Sequence, residues 1–127
     1  MTAKILVVDD SLVMRRQVKQ LLGAGGFETV EAADGLEAFS RLREHPDVCL
    51  VVCDVSMPRM GGLEFLDCLR ALGSGIAVFM LTTEAQPELV ARAERLGAVG
   101  WLTKPVKPDL LMRISAHLAR RGAAMVQ

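Results

Sequence analysis

Four short aliphatic runs, each ending in a chemically active side chain and followed by helical spacing, constrain this chain more than its composition does. Lys4-Ile5-Leu6-Val7-Val8 leads into Asp9-Asp10, and Val48-Cys49-Leu50-Val51-Val52-Cys53 leads into Asp54. Ile76-Ala77-Val78-Phe79-Met80-Leu81 ends in Thr82, and Val99-Gly100-Trp101-Leu102 passes through Thr103 to Lys104-Pro105. Runs that are apolar at nearly every position suit strands of a parallel sheet covered on both faces. Groups at the carboxyl ends of such strands lie where open α/β sheets build their sites. Three carboxylates, a hydroxyl and a cation are therefore aimed at one region.

The segments between the runs read as helices. Ser11 is a candidate N-cap for a first helix carrying Val13, Met14, Val18, Leu21 and Leu22 inward, and Gly23-Ala24-Gly25-Gly26 stops it. A short strand near Glu28-Thr29-Val30-Glu31 follows. Asp34 and Glu37 then have the spacing of a capping box, with Leu36, Phe39 and Leu42 on the apolar face and His45-Pro46 as the stop. Gly61-Gly62 precedes a third helix with Leu63, Leu66 and Leu69 at helical intervals, closed by Gly73-Ser74-Gly75. A fourth helix begins around Ala85 to Pro87, turns Leu89, Val90, Ala93 and Leu96 inward and ends at Gly97. Pro108 suits the first turn of a fifth, with Leu110, Leu111, Ile114 and Leu118 inward and Arg120-Arg121 near the end favoured by the macrodipole. Gly122 to Gln127 reads as a frayed tail.

The carboxylates need an electrostatic account. Two unit charges about 4 Å apart repel by roughly 4 kcal/mol at an effective dielectric near 20, a cost that a marginally stable domain feels. Lys104 supplies one positive charge. Two or three acids leave an excess that suits a hard divalent cation with oxygen ligands and retained waters, which describes Mg2+. The histidines, His45 and His117, fall outside the strand ends, and Cys49, Cys53 and Cys68 form no CxxC pair, so zinc or copper is not indicated. A single Asp after a strand is commonly just a cap or turn residue. An acidic pair after the first strand, an acid after the third, Thr after the fourth and Lys-Pro after the fifth form a more specific, ordered pattern.

Asp9-Asp10-Ser11, Asp54 with Met57-Pro58 and Gly61-Gly62 after it, Thr82-Thr83-Glu84 and Lys104-Pro105 together resemble the receiver domain of bacterial two-component response regulators. The resemblance covers essentially the whole chain, taken as one domain over residues 1–127 with a core of about 3–121. Within that family, Asp9-Asp10-Ser11 followed by Met14-Arg15-Arg16 is most similar to chemotaxis regulators of the CheY type. The resemblance implies a flavodoxin-like, doubly wound α/β fold with a five-stranded parallel sheet in the order 2-1-3-4-5 and five helices.

It also implies a chemistry. Asp54 would accept a phosphoryl group from the phosphohistidine of a sensor histidine kinase or phosphotransfer protein, forming an aspartyl phosphate. Asp9, Asp10, Asp54 and the backbone carbonyl of Ser56 would hold Mg2+, Lys104 would pair with phosphate or carboxylate, and Thr82 would donate to a phosphoryl oxygen. Such a chain is not an ordinary enzyme, although it catalyses its own phosphorylation and dephosphorylation, since this transition state is served mainly by positioning and charge. Thr82 and Trp101, the aromatic three positions before Lys104, would form the switch. Without the resemblance, Trp101 is equally well a half-buried core residue. Ser56 and Glu84, two positions beyond Asp54 and Thr82, would set the lifetime of the phosphoryl group. Ser56 departs from the Asn familiar in CheY itself. The expected output is a protein target docked on the face of the fourth helix, fifth strand and fifth helix.

Composition excludes several other classes. At 127 residues and 13.8 kDa, with 51% hydrophobic residues, the chain has the size and apolar content for one core. Fifteen basic residues balance fifteen acidic ones without a Lys/Arg stripe, so direct nucleic-acid binding is not expected. No apolar stretch approaches the roughly 18 residues of a membrane span, and a cytoplasmic location follows as an expectation. Each cysteine reads as a small apolar residue, with Cys53 on the opposite sheet face from Asp54. Competing readings are a phosphorylation-independent interaction module of the same fold and a receiver excised from a longer regulator. A haloacid-dehalogenase-like phosphatase would carry an acid where Ser56 stands, and a flavodoxin would carry a phosphate-cradling loop where Asp9-Asp10-Ser11-Leu12 stands.

Overall fold

Strand and helix alternate five times. The computed structural model describes residues 3–83 and 86–126, and side-chain surroundings as far as Leu118. The strands are β1 (Lys4–Val8), β2 (Glu28–Ala32), β3 (Val48–Asp54), β4 (Ala77–Thr82) and β5 (Gly100–Thr103). The helices are α1 (Leu12–Ala24), α2 (Gly35–Glu44), α3 (Gly62–Ala71), α4 (Pro87–Arg95) and α5 (Pro108–Val126). All strand pairs are parallel and run in the order β2-β1-β3-β4-β5, the expected topology.

The strand pleat divides the core into two layers. Leu6, Val8, Val51, Cys53, Val78 and Met80 face one cluster with Ala38, Phe65, Leu66 and Ala93 from α2, α3 and α4. Ile5, Val7, Leu50, Val52, Phe79 and Leu81 face the other, with Val18 and Leu22 of α1 and Leu111 and Leu118 of α5. This period-2 division of continuous apolar runs is what a sheet buried on both faces requires. It puts Cys53 opposite the α1/α5 layer and keeps β3 in phase, so that Asp54 follows Leu50 and Val52 on the α1/α5 side.

Several local expectations shift. β4 starts at Ala77 and takes in Thr82, because the backbone of Ile76 is held in the preceding turn: its N–H donates to Ser74 Oγ at 3.3 Å and its carbonyl accepts from Arg70 at 3.0 Å. Val13 and Leu36 lie outward, at 65% and 46% exposure. In α1 the buried stripe is Val18 and Leu22, four apart, and Val13 falls off it. In α2 the buried places go to Gly35 and Ala38. The expected frayed tail is instead helical as far as Val126, in keeping with the alanines at 119, 123 and 124, which favour helix.

Candidate functional site

Parallel pairing brings the carboxyl ends of β1, β3 and β5 to one edge of the sheet. Asp9 follows β1 directly, Asp54 closes β3, and Lys104 follows β5. Lys104 Nζ lies 2.8 Å from Asp9 Oδ2 and 3.4 Å from Asp54 Oδ1, with its side chain only 11% exposed. Asp9 and Asp54 are buried, whereas Asp10 is exposed at the rim. One carboxylate oxygen from each of the three acids lies within 4.8 Å of the others.

Backbone and side-chain donors hold these groups in place. Ser11 N–H donates to Asp9 Oδ1 at 2.9 Å, and Ser11 Oγ caps α1 by accepting from Met14 N–H at 3.3 Å. Arg15, one turn into α1, donates to the Asp9 carbonyl at 2.7 Å and lies 3.4 Å from Glu31 on β2. Val55 N–H donates to Asp54 Oδ1 at 2.9 Å. A Cβ at Gly62 would collide with the Asp54 carbonyl, so the close approach of α3 to the end of β3 requires glycine there.

The electrostatics are unbalanced toward negative charge. Burial and the neighbouring Asp9 push the Asp54 carboxyl above its ordinary range, against the opposing pull of Lys104 and the Val55 N–H. Burial works against the Lys104 ammonium, but its hydrogen bond to Asp9 and the charge of Asp54 outweigh that and raise its pKa. One ammonium thus faces three carboxylates. A hard-oxygen donor set with excess negative charge fits a divalent cation such as Mg2+ and does not fit a soft metal. Cys53 does not join the site: burial pushes its thiol far up, and its Sγ contacts the Asp54 carbonyl at 3.3 Å.

The other anticipated residues are placed as follows. Thr82 is buried at the end of β4, one residue beyond Leu81, the register partner of Asp54, and its carbonyl accepts from Lys104 N–H at 2.6 Å. Trp101 lies half-buried on β5, paired in register with Met80, against the α2–α4 layer. Its indole Nε1 is buried with no hydrogen-bond partner. Ser56 is exposed in the loop after β3, and Glu84 lies outside the described residues. Sequence reasoning used Arg15 only as part of the motif after Ser11, without its contacts, and overlooked Arg59. The latter pairs with Asp34 at 2.6 Å across 25 positions, and no local spacing announces such a contact. A cavity of about 820 Å³ opens from the acids along α1, where Met14, Val18 and Leu21 face Pro105 and Val106.

With this geometry established, comparison with known proteins is specific. Residues 5–116 match the family model described as the response regulator receiver domain. The chain is 38% identical over 111 residues to chemotaxis protein CheY1 of Helicobacter pylori, covering 85% of this chain and 90% of that one. Among solved structures, chemotaxis protein CheY4 of Vibrio cholerae superposes with a TM-score of 0.86 at 36% identity, covering 93% of this chain and 99% of that one. A chain of the CheX–CheY–BeF3–Mg2+ complex of Borrelia burgdorferi matches with a TM-score of 0.83 at 29% identity, over 91% and 88% of the two chains. A family match over residues 5–116, with relatives of 36–38% identity that are covered almost end to end, shows that the chain belongs to the response regulator receiver domain family.

Proposed function

We propose that this chain is a phosphoacceptor signalling switch of CheY type, in which Asp54 takes a phosphoryl group from the phosphohistidine of a sensor histidine kinase or phosphotransfer protein. The observation that carries the reading is Lys104 Nζ placed between Asp9 and Asp54 in a pocket holding three acids. An Asp54 oxygen attacks phosphorus, the P–N bond to the donor imidazole breaks, and the departing ring takes up a proton. The raised pKa of Asp54 makes its carboxylate the more basic nucleophile. Lys104, already ion-paired on both sides, is placed to follow charge onto the phosphoryl oxygens. Water attack on the aspartyl phosphate, releasing inorganic phosphate, resets the switch, with Ser56 and Glu84 setting the rate.

Asp9, Asp10, Asp54 and the Ser56 carbonyl would hold Mg2+, which supplies positive charge where donor and acceptor oxygens otherwise repel. Thr82 links the site to the output face. It closes β4 two residues after Met80, on the same side of the pleat, and Met80 is the register partner of Trp101. Movement of Thr82 toward a phosphoryl group therefore changes the packing around Trp101, and with it the α4/β5/α5 face offered to a target protein. Chemotaxis is the pathway favoured by the names of the relatives, and no helix among the described residues is long and apolar enough to cross a membrane, which accords with work in the cytoplasm.

Intact mass after incubation with a small-molecule phosphodonor tests the reading. A single Mg2+-dependent phosphoryl adduct, absent in Asp54→Asn, is the expected result. No adduct under conditions that trap short-lived species would overturn it in favour of a phosphorylation-independent interaction module.

A further inference from the structure

The loop from Val55 to Gly61 carries the backbone next to Asp54, yet most of it lacks ladder hydrogen bonds. Its near end is fastened to β4 and to the start of α3: Val55 N–H donates to Leu81 O at 3.2 Å and Gly62 N–H donates to Val55 O at 2.9 Å. Its far end is fastened to a different element, the start of α2. Gly35 N–H donates to Met60 O at 3.0 Å, and a Cβ at Gly35 would lie 2.6 Å from Met60 Cγ. Beside this contact the Arg59 guanidinium meets Asp34 Oδ2 at 2.6 Å. Asp34 is 3% exposed and is already the N-cap of α2, accepting from Glu37 N–H at 2.9 Å.

Arg59 adopts this position in a costly conformation. Its φ is +63°, the left-handed region that non-glycine residues seldom occupy and that costs on the order of 1 kcal/mol. Among the described residues it is the only non-glycine there. Its side chain is 60% exposed, so burial of arginine does not explain the strain. The conformation closes a tight three-residue turn, in which Met60 N–H donates to Pro58 O at 2.7 Å, and from that turn the guanidinium reaches a buried carboxylate 25 positions away.

We propose that Arg59 is a positioning residue for the phosphoacceptor site. By gripping Asp34 it fixes the far end of the loop, and so sets where Ser56 and its carbonyl stand relative to Asp54, Asp9 and Asp10. The inference rests on the proposed function. It differs from a purely structural role for the ion pair in its consequence for cation binding, where the sign is decisive. Removing a positive charge from the chain can only favour a divalent cation by simple electrostatics. Loosening the loop that orients one of its ligands weakens it, and supporting groups of this kind typically account for about 10-fold or more in metal affinity.

The experiment is calorimetric titration of Mg2+ into the unphosphorylated chain and into Arg59→Gly, Arg59→Lys and Asp34→Asn, followed by phosphorylation and decay rates at Asp54 read by intact mass. Glycine accepts the φ of +63° without strain, so Arg59→Gly removes the guanidinium while leaving the backbone free to keep its path. The expected result is an Mg2+ dissociation constant raised by about 10-fold in Arg59→Gly and Asp34→Asn, with Arg59→Lys between them and the parent. The decay rate should change in the same order. Unchanged or tighter Mg2+ binding in Arg59→Gly overturns the proposal, as does weakening in Arg59→Gly that Asp34→Asn fails to reproduce. A parent that binds Mg2+ but forms no adduct overturns the functional reading and leaves the titrations to decide the clamp. A parent that binds no Mg2+ overturns both.

Discussion

α3 and α4 pack on the same face of the sheet, but they are held very differently. α3 buries Gly62, Leu63, Phe65, Leu66 and Leu69, and its first turn is fixed against the end of β3. α4 buries Ala93 alone, with Leu89 and the C-cap Leu96 only partly covered. A cavity of about 110 Å³ lies between α4 and β5 and is lined in part by Trp101, whose Nε1 is buried without a hydrogen-bond partner. Just past the carboxyl end of α4, the Arg70 guanidinium donates to Leu96 O at 3.0 Å and Gly97 O at 3.1 Å. The proposed phosphoacceptor site and the proposed output face thus differ in how much their helices bury. A charge added at the stiff end can be expressed at the loose end for little free energy, because the loose end has few buried contacts to lose.

The largest expected effect comes from attacking the stiff region. Phe65 is fully buried and packs edge-on against Phe39 with centroids 4.9 Å apart, so Phe65→Ala should lower stability by about 3–5 kcal/mol. Leu89→Ala on α4 should cost about 1 kcal/mol, in keeping with its partial burial. Chemical denaturation of both variants checks the contrast, and equal losses would break it.

A smaller effect of opposite sign is expected at the acids. Burial and the neighbouring Asp9 disfavour the charged form of Asp54. Asp54→Asn, measured without divalent cations, should therefore stabilise the fold by about 1 kcal/mol while abolishing phosphorylation. A destabilised Asp54→Asn would show that Lys104 already compensates the site fully.

The smallest effect is a pH dependence at the clamp. Burial works to raise the Asp34 carboxyl, but the Glu37 N–H, the Arg59 guanidinium and the Leu36 N–H outweigh it and hold the pKa below the ordinary value of 3.8. A depressed folded-state pKa means stability that is present above that ordinary value and lost as the pH falls through the folded one. Asp34→Asn should flatten the fall in denaturation midpoint below about pH 4 relative to the parent. An unchanged acid limb would assign that stability to other carboxylates.

What could be read from the sequence follows the range of the forces involved. The strands and the acids at their ends were legible because parallel strands buried on both faces impose continuous apolar runs, and their ends are marked by a change of residue type within one or two positions. The Ser11 cap was legible for the same reason. The Asp34–Glu37 spacing was half right: Asp34 caps α2, but Glu37 turns to Arg41 at 3.7 Å instead of reaching back. The start of β4 and the apolar face of α2 were misread where a side-chain-to-backbone contact or a small residue decided the outcome, Arg70 holding Ile76 in one case and Ala38 filling the buried place in the other. The contacts of Arg15, Arg59 and Arg70 went unread because each is made to carbonyls or a carboxylate brought to it by the fold, at separations that leave no periodic trace.

The central claim is that charge at Asp54 is expressed in α4 and β5 and not in α3. Hydrogen exchange read by mass spectrometry, comparing phosphorylated and unphosphorylated chain, tests it directly. The account predicts altered exchange across residues 87–103, with little change across 62–71. Equal change in both segments, or change confined to the α3 segment, would contradict it.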